Sequence, residues 1–109
     1  MAIPSYERVH DERLRVDRPV LYVEYESLSE GEQQEFELLC QEICAQIPPR
    51  IKAFEEIYMD RFEALHQAEN DEAFYHLLEE MNDISSRIAD LNVLFLHIEG
   101  NFIAASIHS

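Results

Sequence analysis

The sequence has few of the residues that break or cross-link a chain. Its 109 residues include two glycines, two cysteines, four prolines and no tryptophan. Because Gly31 and Gly100 are the only glycines, no glycine-rich loop is available to approach a phosphate closely, and no nucleophile elbow is present. We therefore interpret the chain as a non-catalytic protein and not an enzyme. Its 47% of hydrophobic residues favours one folded domain with a core of its own.

Basic residues are also scarce. The chain has 8 lysines and arginines against 23 aspartates and glutamates, so its formal net charge is −15. Acidic and basic side chains balance within residues 1–19, and the whole excess therefore falls on residues 20–109. Such a field repels phosphate backbones and anionic membrane surfaces. The charge predicts no direct nucleic-acid binding and no membrane binding, and it favours a basic protein partner.

Long hydrophobic runs are absent as well. No stretch approaches the roughly 20 apolar residues that cross a bilayer, and no charged and then apolar leader opens the chain. Cys40 and Cys44 are four residues apart, which places them on one face of a helix as buried thiols. Metal binding or redox sensing by this pair is the less favoured alternative. These features predict a soluble cytoplasmic protein with reduced thiols.

The first 28 residues differ from the remainder. Apolar and polar residues alternate from Leu14 to Tyr25, which is typical of extended chain. Residues 1–28 are therefore predicted to form an extended N-terminal arm or a short hairpin, with its turn at Asp17–Pro19. Residues 29–109 are predicted to form an acidic α-helical bundle.

Helical signals begin at Ser29. Ser29 followed by Glu32 is a capping-box pattern, and the proline pair Pro48 and Pro49 predicts the end of this first helix. A second helix then runs from Pro49 to the polar residues 67–71, and Asn70 or Asp71 caps a third. We therefore predict an all-α fold, a small bundle of three main helices with an extended N-terminal arm.

The third predicted helix carries a regular apolar stripe. Its members recur at steps of three and four residues, namely Phe74, Leu77, Met81, Ile84, Ile88, Leu91, Phe95 and Ile98. Around residues 93–96 the helix is apolar on nearly every side, which predicts burial on every side by its own domain or by a second copy of the chain. The bundle is accordingly expected to be completed by dimerisation. The predicted self-association residues are Val93, Leu94, Phe95, Leu96, Phe102 and Ile103.

One pair of residues has the spacing of a metal-binding motif. Glu63 and His66 form a Glu-x-x-His pattern, which places two ligands on adjacent turns of one helix. A complete site needs further carboxylates, for which Glu35, Glu42 or Glu80 are candidates across a dimer. No second Glu-x-x-His pattern exists, and a glutamate-rich chain produces one easily by chance. We predict no metal and no cofactor, and a metal-binding bundle is the last of three hypotheses.

The first hypothesis is a non-catalytic protein–protein interaction module. It would be a small acidic regulator, adaptor or inhibitor whose carboxylates steer a basic partner. The alternative is a nucleic-acid mimic that blocks a DNA- or RNA-binding protein, in which the acids would align in rows on one surface. The predicted partner-binding residues are Arg13, Arg15, Tyr22, Tyr25, Glu55, Glu56, Asp60, Glu79, Glu80 and Asp83.

Overall fold

The structure, a computed structural model, describes residues 3–103, excluding the side chain of Ile103, one of the predicted self-association residues. Two strands and two long helices make up the described chain. They are β1 (Tyr6–Asp11), β2 (Val16–Leu21), α1 (Glu30–Leu65) and α2 (Asp71–Ile98). A 3-10 turn at Tyr25–Ser27 precedes α1, and a π-helical turn at Glu99–Ile103 follows α2.

The predicted all-α bundle of three main helices is wrong, because the chain forms a β-hairpin and two main helices. The first two predicted helices are one helix, α1, which continues through Pro48 and Pro49. Proline costs about 3 kcal/mol relative to alanine inside a helix. The apolar stripe continues across the pair, with Ile43 and Ile47 buried before it and Phe54 after it. Each such buried side chain contributes about 1.5–3 kcal/mol, so packing offsets the local cost.

Both helix starts follow the predicted capping patterns. Ser29 Oγ accepts a hydrogen bond from Glu32 N at 3.2 Å, and Ser29 N donates to Glu32 Oε1 at 3.1 Å. At α2, Asn70 Oδ1 accepts from Ala73 N at 2.8 Å. The capping box and the Asn70 cap are therefore confirmed, and the third predicted helix is α2. Within residues 3–103, no helix combines the length and apolarity that crossing a membrane requires.

The N-terminal strands pair as an antiparallel hairpin, with Tyr6 opposite Leu21. Its turn occupies residues 12–15, so the predicted turn at Asp17–Pro19 is wrong. Asp11 organises the turn, because its carboxylate accepts from Leu14 N at 3.0 Å and its carbonyl accepts from Arg15 N at 2.7 Å. Pro19 lies within β2, where a two-stranded sheet leaves a free edge that tolerates it.

The hairpin packs onto the two helices through one hydrophobic cluster. Leu14 and Val16 from the hairpin belong to the same cluster as the buried residues of both helices. Its helical members include Phe36, Cys40, Ile43, Cys44, Ile47, Phe54, Ile84, Leu91, Leu94 and Ile98. The hairpin therefore covers part of the helix pair. The division into an arm and a bundle at residue 28, and the completion of the fold by dimerisation, stay predictions.

Candidate functional site

The outer face of α1 carries a shallow depression of about 430 Å³. Its lining residues are Lys52, Glu55, Glu56, Met59, Asp60 and Glu63. We refer to the last five as the acidic ledge. Steps of three and four residues place them on one side of the helix, over about 12 Å at 1.5 Å per residue. Among the described residues only Asp60 of this set has a basic partner, with Arg61 Nη1 at 3.0 Å.

A groove of about 460 Å³ between α1 and α2 adjoins the acidic ledge. It is lined by Ile47, Pro48, Ile51, Lys52, Glu55, Asn92 and Phe95. We refer to it as the open groove, because no hairpin residue lines it. Ile51 and Phe95 are half-buried there, and Glu55 lines both the groove and the ledge. An apolar channel and a row of carboxylates therefore meet along one edge of α1.

The end of the helix pair farthest from the hairpin is poorly packed. Between Phe54 and Met81, which are both buried, no residue is buried. Large apolar side chains are exposed in this stretch, including Met59, which is 52% exposed, and Tyr75, which is 62% exposed. We call residues 55–80 the distal end. The acidic ledge lies within it, together with apolar side chains that stay exposed among residues 3–103.

The predicted acidic residues of α2 are mostly paired within the chain. Glu80 Oε2 lies 2.6 Å from Arg61 Nε, and Asp83 Oδ2 lies 2.9 Å from Arg87 Nη2. Glu79 has no ion pair among residues 3–103. The paired α2 acids thus differ from Glu55, Glu56 and Glu63 of the acidic ledge, which have no ion pair among the described residues.

The predicted arginines of the hairpin also make contacts within the chain. Arg13 Nη1 lies 2.6 Å from Asp90 Oδ2, and Arg13 Nη2 donates to Ser86 Oγ at 2.9 Å. The Arg15 guanidinium carbon lies 5.5 Å from the centre of the Phe54 ring, a cation–π distance. These contacts tie the hairpin turn to α1 and α2. Arg15, Glu80 and Asp83 line a cleft of about 240 Å³, which is distinct from the acidic ledge.

The two predicted tyrosines pair with glutamates. Tyr22 Oη donates to Glu7 Oε2 at 2.6 Å across the hairpin, and Tyr25 Oη donates to Glu37 Oε1 of α1. Burial and the bond to Glu37 raise the pKa of Tyr25 to about 12. Tyr25 therefore stays protonated at neutral pH and fastens the chain before α1 to that helix. Tyr22 is exposed and lies outside the acidic ledge and the open groove.

The predicted self-association residues divide by burial. Val93 and Leu96 are 64% and 68% exposed on α2, whereas Leu94 is 5% exposed and belongs to the core. Phe95 and Phe102 are half-buried against the same core. The stretch expected to be buried all round therefore has one side in the core and one side in solvent. Among the predicted residues whose side chains the structure describes, Val93 and Leu96 are the two that are exposed.

Both cysteines are free and buried, as the sequence analysis predicts. Burial raises the pKa of Cys40 to about 12, with a smaller contribution from the nearby Cys44. Burial also raises the pKa of Cys44 to about 11. Both side chains are therefore neutral thiols at physiological pH. A thiol in this state is a poor nucleophile and packs as a small apolar residue.

The Glu-x-x-His pair lies on the distal end. Glu63 belongs to the acidic ledge, and the His66 ring packs edge-on against Phe62 with 4.9 Å between ring centres. Within residues 3–103, no group of three or more histidine, cysteine, aspartate or glutamate side chains is placed to hold a metal ion. Glu63 is therefore part of the acidic surface of α1.

Several residues of these surfaces are missing from the predicted site. Met59 and Glu63 recur with Glu55 at helical spacing, so the sequence contained a signal for the whole ledge. Ile51 belongs to the apolar stripe of α1, and its half-exposed position depends on how α2 and the hairpin cover that stripe. Helical periodicity identifies the stripe but not the side left open.

Comparisons with protein-family models, with curated proteins and with solved structures find no match for this chain. The fold and surfaces define a helical hairpin with an antiparallel β-hairpin packed against it, an acidic ledge on α1 and an open apolar groove beside the ledge.

Proposed function

We propose that the protein is a non-catalytic protein–protein interaction module, a small acidic regulator, adaptor or inhibitor. Its partner would present a basic amphipathic helix to the acidic ledge and the open groove. The observation that carries this proposal is the shared edge of the two surfaces, which Lys52 and Glu55 both line. There Glu55, which has no ion pair among the described residues, adjoins half-buried Ile51 and Phe95. Lysines or arginines of the partner would face the ledge, and its apolar side chains would occupy the groove.

The electrostatics of the ledge support a basic partner. Glu55, Glu56 and Glu63 lack a basic partner among the described residues, and the chain carries a net charge of −15. Like charges on one helix face repel each other, and a cationic partner would relieve that repulsion. Because these carboxylates are exposed, their attraction for a partner should weaken as salt screens it. Met59 supplies an adaptable apolar contact in the middle of the ledge.

Neutralising the ledge is expected to weaken binding of a basic amphipathic helix. The variant is Glu55→Gln with Glu56→Gln and Asp60→Asn, and the probe is a synthetic helix of leucine and lysine at heptad spacing. Three exposed charge pairs at about 0.5 kcal/mol each correspond to roughly a tenfold loss of affinity. Isothermal titration calorimetry at low salt measures this loss of affinity. The loss should shrink as salt is raised.

The matched control removes the same number of charges elsewhere. Glu12→Gln with Glu24→Gln and Glu26→Gln neutralises three exposed glutamates on the hairpin turn and the segment before α1. At about 0.15 M salt this control is expected to change affinity by about twofold at most, because a Debye length of about 8 Å screens charges that lie outside the contact. Equal losses for the ledge and control variants would contradict the proposed ledge and leave only the net charge as the cause.

The same titration separates the module from a nucleic-acid mimic. A mimic would use the ledge carboxylates alone, since phosphates carry no apolar group to be imitated. Met59→Gln removes an exposed apolar side chain without changing charge. If the protein is an interaction module, Met59→Gln should bind the probe helix more weakly than the wild-type protein does when both are measured at high salt. Unchanged binding by Met59→Gln would favour the mimic instead.

Self-association and a cytoplasmic location are also proposed, on separate grounds. Val93 and Leu96 form an exposed apolar pair on α2 that a second copy would cover, and the two free buried thiols are typical of a reducing compartment. Val93→Asp with Leu96→Asp is expected to convert a dimer to a monomer in sedimentation velocity at micromolar concentration. A wild-type monomer, or a dimer that survives both substitutions, would contradict self-association through this pair.

A further inference from the structure

A second cleft lies where the hairpin turn meets α1, away from the acidic ledge. It has a volume of about 410 Å³ and is lined by Arg15, Val16, Ala45, Gln46, Pro49 and Arg50. We call it the arginine cleft. Although the chain contains 23 acidic residues, none of the lining residues is acidic. Two arginines and one glutamine therefore line the cleft without a carboxylate, although Arg15 also lines the neighbouring 240 Å³ cleft, whose lining includes Glu80 and Asp83.

The pairing of basic side chains sets these two arginines apart. Five of the eight basic residues of the chain have a carboxylate within ion-pair distance, namely Arg8, Arg13, Arg18, Arg61 and Arg87. Within residues 3–103, Arg15, Arg50 and Lys52 have none. Two of these three line the arginine cleft. In a chain with so large an excess of acid, two arginines on one cleft without a carboxylate partner among the described residues favour an anionic ligand.

One atom of the Arg50 side chain also lacks a hydrogen-bond partner among the described residues. This atom, Nε, is buried. A buried donor without a partner costs free energy, because it has lost its water and gained nothing in return. An oxyanion in the cleft would supply an acceptor for the Arg50 guanidinium. Arg87 Nε is also buried without a hydrogen-bond partner among the described residues, but the Arg87 guanidinium pairs with Asp83, whereas Arg50 has no ion pair there.

Arg15 is held in place by its neighbours. Its φ angle of 59° lies in the left-handed region, which is unfavourable for a residue other than glycine. Leu14 and Val16 on either side are both buried in the core, and the Arg15 guanidinium stacks over Phe54. Backbone strain of this kind persists where the surroundings determine it, and it is concentrated at ligand-binding sites. Arg15 is therefore positioned before any ligand arrives.

We propose that the arginine cleft binds a tetrahedral oxyanion, of the class of inorganic phosphate or a phosphate monoester. Arg15 and Arg50 would pair with its oxygens, and the Gln46 amide would donate a further hydrogen bond. These donors come from two elements, the hairpin turn and α1, and so approach from different directions. A tetrahedral anion can accept from several directions, whereas a planar carboxylate accepts mainly within its plane. This site is separate from the proposed partner surface and does not depend on it.

Binding can be measured by nuclear magnetic resonance of the arginine Nε–Hε groups in the full-length protein. Titration with inorganic phosphate in a low-salt chloride buffer is expected to shift the Arg15 and Arg50 signals along one saturable curve. Acetate at the same ionic strength should bind at least about tenfold more weakly, the factor that one charge-assisted hydrogen bond supplies. Tighter binding of glycerol phosphate would identify an organic phosphate as the ligand, and equal binding would identify the free anion.

Three substitutions and one control test the assignment. Arg50→Gln should weaken phosphate binding by about tenfold or more, and Arg50→Lys should restore only part of it because lysine lacks the guanidinium fork. Gln46→Glu changes an exposed residue and places a carboxylate on the cleft, so it should also abolish binding while the protein stays folded. Lys52→Gln removes an equal charge from a residue outside the cleft and should leave affinity within about twofold, since exposed charges are screened.

Several results would overturn the assignment. These are the absence of a saturable shift at Arg15 and Arg50, equal affinity for acetate and phosphate, or wild-type binding by Gln46→Glu. An equal loss for Lys52→Gln and Arg50→Gln would reduce the effect to general electrostatic attraction. Circular dichroism of each variant shows whether a loss of binding reflects a loss of fold, and Gln46→Glu decides the question if Arg50→Gln unfolds.

Discussion

Replacing Phe36 by alanine is expected to lower the free energy of unfolding by about 3–5 kcal/mol, the largest loss anticipated for a single substitution here. Phe36 is fully buried and makes edge-to-face contacts with Tyr6 of the hairpin and with Phe102 after α2. Truncation would leave a cavity where both ends of the described chain meet. Urea denaturation followed by circular dichroism measures the change.

A matched phenylalanine on the same helix provides the control. Phe62 is 39% exposed at the distal end, so Phe62→Ala removes a side chain that solvent already reaches. Its expected cost is about 1 kcal/mol or less, because little buried apolar area is lost. If the two substitutions proved equally costly, the distal end would be as well packed as the hairpin end. That result would contradict the burial pattern described above.

Replacing both Pro48 and Pro49 by alanine is expected to raise the free energy of unfolding. Each proline removes a backbone hydrogen bond inside α1, and its ring crowds the carbonyl of Cys44 or Ala45 four residues earlier. The cost relative to alanine is about 3 kcal/mol per residue in a straight helix. Each proline also restricts the unfolded chain, which stabilises the folded state by about 0.4–1 kcal/mol and offsets part of that cost. The net expectation for the double variant is a gain of roughly 4–5 kcal/mol, measured by urea denaturation.

Pro4→Ala serves as the control for the helical pair. Pro4 precedes β1 and is exposed, so its substitution is expected to change the free energy of unfolding by less than about 1 kcal/mol. A destabilised double variant would show that α1 needs the geometry of its prolines to pack on α2. The expected gain would instead show that tertiary packing holds α1 together despite them.

The helix starts could be predicted because their signals are local. The capping box at Ser29 and the Asn70 cap each involve residues within one turn. The end expected at Pro48 is wrong because the competing contribution is not local. Burial of Ile47 and Phe54 depends on α2 and the hairpin, which no window around the prolines contains. One long helix in place of two removes the third helix of the predicted bundle.

The hairpin turn illustrates the same limit at shorter range. Asp17–Pro19 has turn-forming composition, but the turn forms at residues 12–15, where Asp11 accepts two backbone hydrogen bonds and Leu14 enters the core. The attraction of Leu14 to the helices selects the register of the strands. Composition alone did not contain that information.

The surfaces proposed for function differ in how far the sequence indicated them. The ledge residues Glu55, Glu56 and Asp60 were predicted, because charge and helical spacing identify a solvated acidic face. The arginine cleft was not predicted as a site. Arg15 and Arg50 are 35 positions apart in the sequence and line the same cleft only when the hairpin folds back over α1.

The unequal packing of the helix pair has a consequence for how the molecule fluctuates. The hairpin end holds the buried cluster, whereas residues 55–80 hold no buried side chain. Regions with few buried contacts open at a lower free energy than the global fold. The distal end is therefore expected to unfold locally at a lower free energy than the region around Phe36. Because the turn between Leu65 and Asp71 joins the two helices there, this opening would be a fraying of helix ends and not a parting of α1 from α2.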